Sequence, residues 1–123
     1  MKLTEIQQPN IEQILHQLNI TDYEITNEGV NVFGNVNIPE HYTEIPFQFN
    51  IVSGNFDCSY TRITSLQGAP REVGENFVCA FTYIDSLRGA PREVGVNIIC
   101  GFTNIRGKPD TTGINIGGQL YWK

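Results

Sequence analysis

The chain has 123 residues, 40% of them hydrophobic and 17% charged, with a net charge of -5. That length supports one domain whose folding buries roughly two thirds of the unfolded surface. No apolar run approaches the ~20 residues of a membrane helix, and three cysteines fit a reducing compartment better than a disulfide framework.

The opening segment, MKLTEIQQPN, lacks the basic-then-apolar layout of a secretion signal, so a cytoplasmic chain is expected. Asn10 is a helix N-cap with Gln13 three residues on. Ile11, Ile14, Leu15 and Leu18 then recur at i, i+3, i+4 and i+7, which predicts a helix with one apolar stripe ending near Asn19. Two alternating runs around Asn27-Glu28-Gly29 predict a β-hairpin. Helix and hairpin together, residues 1–33, are read as a cap on a solenoid spanning 34–123, the whole forming one structural domain. The acidity sits at this end. Residues 1–51 carry seven acids against the single base Lys2, whereas residues 52–123 carry six acids and seven bases.

From residue 52 the sequence repeats. VSGNFDCSYTRITSLQGAPRE (52–72) is followed by VGENFVCAFTYIDSLRGAPRE (73–93) and VGVNIICGFTNIRGKPD (94–110), with a period of 21. Cys58, Cys79 and Cys100 align, as do Phe56, Phe77 and Ile98, Asn55, Asn76 and Asn97, and Thr61, Thr82 and Thr103. Upstream, GNVNI (34–38) matches GNFDC (54–58) at an offset of 20, and Val52 precedes Val73 by 21. Downstream, Pro109, Asn115 and Ile116 align with Pro91, Asn97 and Ile98 at an offset of 18, as if the last unit had lost a turn. Each unit reads as one coil. Phe-x-Cys is a short strand burying Phe56 and Cys58, Ile63 and Leu66 return to the same core, and Gly-Ala-Pro turns the chain. One coil cannot bury such a face alone, but stacked coils with parallel strands can. The late cluster Leu120-Tyr121-Trp122 is expected to pair as a terminal strand on the last coil.

The spacing of Leu66, Val73, Phe77, Cys79, Ile84 and Leu87 resembles the bacterial, proline-containing class of leucine-rich repeats. Units of the type GNFDCSYTRITSLQGAPREVG are also similar to repeats in proteins of large tailed bacteriophages. The resemblance covers about residues 30–122. It implies an α+β repeat solenoid: a short leucine-rich-repeat-like stack of about four coils with parallel strands, capped by the N-terminal helix and hairpin. It implies a concave strand face and a viral origin, and no activity. One departure is that Thr61, Thr82 and Thr103 stand where such repeats carry asparagine, so only part of the usual side-chain ladder is expected there.

Catalytic chemistry is not expected. The cysteines form one column rather than the close pairs of a zinc site, and a free cysteine packs as a small hydrophobe. His16 and His41 are separated by a helix and a hairpin, with no nucleophile in a recognised setting. The repeated glycines are followed by no Gly-Lys-Ser/Thr. No metal or cofactor is therefore assigned.

Two columns point instead to binding. Asp57, Val78 and Ile99 occupy the outward strand position, and Tyr60, Phe81 and Phe102 follow each strand, with Arg62 and Tyr83 nearby. Exposed aromatics beside an arginine make protein-binding hot spots; alternatively, these rings fold inward to fill a small core. The expected function is a non-catalytic protein–protein interaction module acting on a host or viral protein complex. The resemblance to viral repeats suggests an inhibitor of a host defence or nucleic-acid-handling complex, with Glu24, Glu28, Glu40 and Glu44 competing for a basic groove. A self-associating virion or assembly component is the alternative. Direct nucleic-acid binding through Arg62, Arg71, Arg88, Arg92 and Arg106 is disfavoured by the net acidity.

Overall fold

A computed structural model describes residues 10–123. Residues 1–9, which carry most of the segment read for a secretion signal, lie outside the described residues. The described residues form a β-solenoid of about four turns with parallel strands and one short helix.

Helix α1 (Ile11–Gln17) begins as its sequence predicts. Asn10 Oδ1 accepts from the Gln13 amide at 2.8 Å, and Gln13 Oε1 accepts from the Asn10 amide at 3.2 Å, closing a capping box. It ends through Asn19, whose φ of 60° is left-handed backbone that asparagine tolerates. The Asn19 amide then donates to His16 O and the Ile20 amide to Leu15 O, satisfying the last carbonyls of the helix.

The predicted hairpin forms from β1 (Tyr23–Thr26) and β2 (Gly29–Val32), paired antiparallel. β2 has a second role, because it also pairs in parallel with β4 (Phe49–Val52). The hairpin's second strand is thus the first parallel strand of a six-stranded sheet, which continues through β6 (Glu72–Val73), β8 (Glu93–Val94) and β10 (Asn115–Ile116). A second sheet stacks β3 (Val36–Asn37), β5 (Phe56–Asp57), β7 (Phe77–Val78), β9 (Ile98–Ile99) and β11 (Leu120–Tyr121), all parallel. Each coil therefore supplies two short strands where the sequence predicted one. The Glu-Val strands are two residues long, too short to show an alternating pattern.

The core runs between the sheets as a column. Phe49 meets Phe56 edge-on with centroids 5.2 Å apart, and Phe56 stacks on Phe77 at 5.8 Å. Cys58, Cys79, Cys100, Ile63, Ile84 and Leu66 fill the space beside them, all buried. Hydrophobic burial of this kind contributes about 1.5–3 kcal/mol per large side chain.

The corner between the two sheets has its own columns. A Cβ on Gly74 would overlap Ser53 O, and one on Gly95 would overlap Gly74 O, so consecutive backbones approach here as only glycine permits. Just past this corner, Asn35 Oδ1 accepts from the Asn55 amide (2.8 Å), Asn55 Oδ1 from the Asn76 amide (2.9 Å), and Asn76 Oδ1 from the Asn97 amide (3.0 Å). This is a continuous asparagine ladder joining all the coils. The expectation that threonine stands in for asparagine is thereby corrected. The threonines act within their own coils, Thr61 and Thr82 donating to Cys58 O and Cys79 O at 2.7 and 2.8 Å.

The alignment of the last coil is also corrected. Asn115 pairs with Glu93 and Ile116 with Val94, while Leu120 pairs with Ile98 and Tyr121 with Ile99. The offset is 22 rather than 18. Gln119, not Asn115, is the counterpart of Asn97: its amide donates to Asn97 Oδ1 at 2.8 Å.

Candidate interaction surface

In the five-stranded sheet, Asn37, Asp57, Val78, Ile99 and Tyr121 stack in register on the outward side. Asp57, Val78 and Ile99 are half-buried, and the column becomes apolar toward the C-terminal coils, as their alternation with buried Phe56, Phe77 and Ile98 predicts. In the first coil, Asp57 Oδ1 accepts from both the amide and the hydroxyl of Ser59, at 2.9 and 2.5 Å, which folds the chain into the turn that follows.

That turn carries the aromatic column. Tyr60, Phe81 and Phe102 have φ values of 62°, 57° and 56°. Bulky residues rarely adopt this left-handed region, and each instance costs on the order of 1 kcal/mol or more. The conformation recurs because it redirects the backbone. The amides of Tyr60 and Phe81 donate forward, to Ala80 O and Gly101 O of the next coil, whereas the amides of Arg62 and Tyr83 donate backward, to Tyr42 O and Ile63 O.

The left-handed turn leaves the rings outside the core. Tyr60, Phe81 and Phe102 are 57%, 43% and 68% exposed. Of the two orientations open in the sequence, the structure adopts the outward one. The rings lie nearly parallel, with centroid separations of 4.5 and 4.6 Å and interplanar angles of 7° and 10°. They form a ladder of three rungs along the solenoid axis. Stacking of this kind is worth about 0.5–1.5 kcal/mol per pair beyond area burial. Arg62 and Tyr83 lie two residues further along equivalent loops of consecutive coils and are exposed as well. The geometry thus brings all eight predicted surface residues to the outer side of the five-stranded sheet and the turns leaving it. Of these, Asp57 is also engaged with Ser59.

The predicted acidic residues are distributed differently. Glu24 lies on β1 and accepts from Asn31 Nδ2 at 3.2 Å, Glu28 lies in the hairpin turn, and Glu40 and Glu44 lie in the following loop; all four are exposed.

The cysteine column is sealed. Burial, reinforced by the Asp57 charge, pushes the Cys58 thiol up from 9.0 to about 12. A hydrogen bond to Cys100, with burial, likewise raises Cys79 well above its ordinary value, while the same bond lowers Cys100, which burial alone keeps from reagents. Thiols held protonated in a core are poor nucleophiles and poor metal ligands. Among the described residues no group of three or more His, Cys, Asp or Glu side chains is placed to hold a metal ion. No helix of the described residues is long and apolar enough to cross a membrane.

Sequence reading missed the asparagine ladder's role, although its column was visible. It grouped Arg71, Arg88, Arg92 and Arg106 with Arg62, but the loops gather the first four with Lys108 and leave Arg62 on the other side. No protein-family model, curated protein or solved structure matches the chain.

Proposed function

We propose that the chain is a non-catalytic protein–protein interaction module whose contact surface is the aromatic ladder with its neighbours Arg62, Tyr83, Val78 and Ile99. One observation carries this reading. Three large aromatic side chains are held in solvent on left-handed backbone, an arrangement that costs conformational energy and leaves much apolar surface wet. A stack of rings is rigid, so little side-chain entropy is lost when a partner covers it, which is the property of an anchor residue.

The sequence's similarity to phage repeats supports a more specific version, in which the chain is phage-encoded and inhibits a host defence or nucleic-acid-handling complex in the bacterial cytoplasm. In that version the exposed Glu24, Glu28, Glu40 and Glu44 help to steer the approach to a basic groove. The partner is a protein complex, and no cofactor takes part. The test is affinity capture from bacterial lysate with the wild-type chain and with Tyr60→Ser/Phe81→Ser/Phe102→Ser, both verified as folded. A stoichiometric host complex retained by the wild type and lost by the variant is the expected result. Equal capture by both removes the ladder from the contact.

A second reading is favoured by a separate observation: β10 and β11 sit at the edges of their sheets, and Tyr121 is 52% exposed. Edge strands are templates for pairing, which would suit a self-associating structural component. Sedimentation at tens of micromolar separates the two readings, since the interaction module is expected to run as a monomer.

A further inference from the structure

The loops that enter the six-stranded sheet enclose two recesses, of about 560 and 1150 Å³, on the side where the Gly-Ala-Pro turns stack. Both are lined by Arg88 and Arg92, because the loop 85–92 stands between them; the two adjoining grooves, one on each flank of that loop, make up a trough over consecutive coils. Arg71 completes it at one end, and Arg106 and Lys108 at the other. Five of the chain's eight lysines and arginines therefore converge on one trough, against two of its thirteen acids, Asp85 and Asp110. The first of those acids faces both recesses. The second is tied down by the Thr112 hydroxyl and amide, which hold its carboxyl below its ordinary range.

The repeat itself creates the concentration of charge. The Arg92 amide donates to Arg71 O at 2.8 Å, which stacks the two arginines one coil apart, about 4.8 Å along the axis. Stacked like charges repel, and that cost is recovered when an anion lies across them. Ser65 and Ser86 line the same trough. Each hydroxyl oxygen accepts from a loop amide, Gln67 at 3.0 Å and Arg88 at 3.2 Å, which leaves the hydroxyl proton available to an incoming acceptor.

We propose that this trough docks a short acidic polypeptide segment of a partner protein, through Arg71, Arg88, Arg92, Arg106 and Lys108. It is a second contact surface, independent of the aromatic ladder, because none of the ladder residues lines it. Two observations favour a polypeptide over nucleic acid. The lining contains no aromatic side chain, whereas single-stranded nucleic acid sites pair their cations with stacking platforms. The trough also spans only three coils, about 10–15 Å, room for roughly four extended residues. A longer polyanion would run past it toward residues 10–51, which carry six acids and no lysine or arginine, and be repelled.

The experiment is fluorescence anisotropy with a labelled, end-blocked hexaglutamate probe on the full chain in low salt, beside hexaglutamine and a dT12 oligonucleotide. Saturable binding of hexaglutamate below about 1 mM is expected, weakened about tenfold by Arg88→Glu/Arg92→Glu. Hexaglutamine should not bind, and Lys123→Glu, a charge reversal outside the trough, should change the affinity less than about twofold. Circular dichroism confirms that each variant folds. Should the charge reversal disturb the fold, Arg88→Gln/Arg92→Gln replaces it, with a smaller loss expected. No saturable binding of hexaglutamate, or equal losses in the Lys123 and trough variants, overturns the proposal. Tighter binding of dT12 that is lost in the same trough variants also overturns it, in favour of a nucleic-acid site.

Discussion

Two columns repeat through this solenoid with the same period and opposite consequences. At one corner Asn35, Asn55, Asn76 and Asn97 pass hydrogen bonds from coil to coil, and every rung satisfies a backbone amide of the following coil. After each strand of the five-stranded sheet, Tyr60, Phe81 and Phe102 pass ring contacts from coil to coil. Those rungs satisfy nothing in the backbone, adopt a disfavoured φ and remain in water. Regular repetition by itself therefore does not mark a structural column. What separates a column that holds coils together from one that presents a surface is whether its side chains remove a cost or add one.

The inward columns should be the hardest to perturb chemically. With its thiol near 12 rather than 9.0, Cys58 has about a thousandfold less thiolate than an ordinary cysteine near neutral pH, before its burial is counted. Alkylation of the three cysteines at pH 8 is expected only through unfolding, so its rate should rise with urea. Rapid labelling of the native chain would break the assignment of this column to the core. The same shift has a pH signature. Because the folded-state value is raised, Cys58 keeps its proton where the unfolded thiol has lost it, and stability is fully present below pH 9 and declines between about pH 9 and 12. Urea titrations across that range read the slope directly.

The asparagine corner comes next. Asn76→Ala removes the acceptor for the Asn97 amide in the middle of the stack, and leaving such a group unsatisfied costs about 1–3 kcal/mol. Its counterpart at the end of the ladder sharpens the comparison. Gln119 donates its amide to Asn97 without serving as an acceptor for a further coil among the described residues, so Gln119→Ala is expected to change the urea midpoint little. Equal losses at the two positions would mean that the ladder's contribution is not the satisfaction of amides.

That asymmetry also explains what the sequence disclosed and what it hid. The helix start, the hairpin, the parallel stack and the inward Phe-x-Cys faces were legible, since each rests on local pattern: a capping box, a turn sequence, a period of two, a period of 21. The last coil was misaligned because Asn115-Ile116 imitates Asn97-Ile98, while the true counterpart is a glutamine. The outward turn of Tyr60, Phe81 and Phe102 was undecidable from residue type, because left-handed backbone is announced by glycine or asparagine and not by phenylalanine. The cationic trough was hidden for a different reason. Arg71 and Arg92 share a phase, but Arg88, Arg106 and Lys108 join them only through the stacking of loops of unequal length.

The most direct test of the division between the two columns is equilibrium urea unfolding of Tyr60→Asn/Phe81→Asn/Phe102→Asn. Asparagine tolerates the left-handed φ, so relief of about 1 kcal/mol per position offsets the loss of two stacked pairs worth about 0.5–1.5 kcal/mol each. The account predicts a stability within about 2 kcal/mol of wild type and an unchanged dependence on urea. A loss of about 5 kcal/mol or more, comparable to emptying a core phenylalanine site, would contradict it and make the ladder part of what holds the coils together.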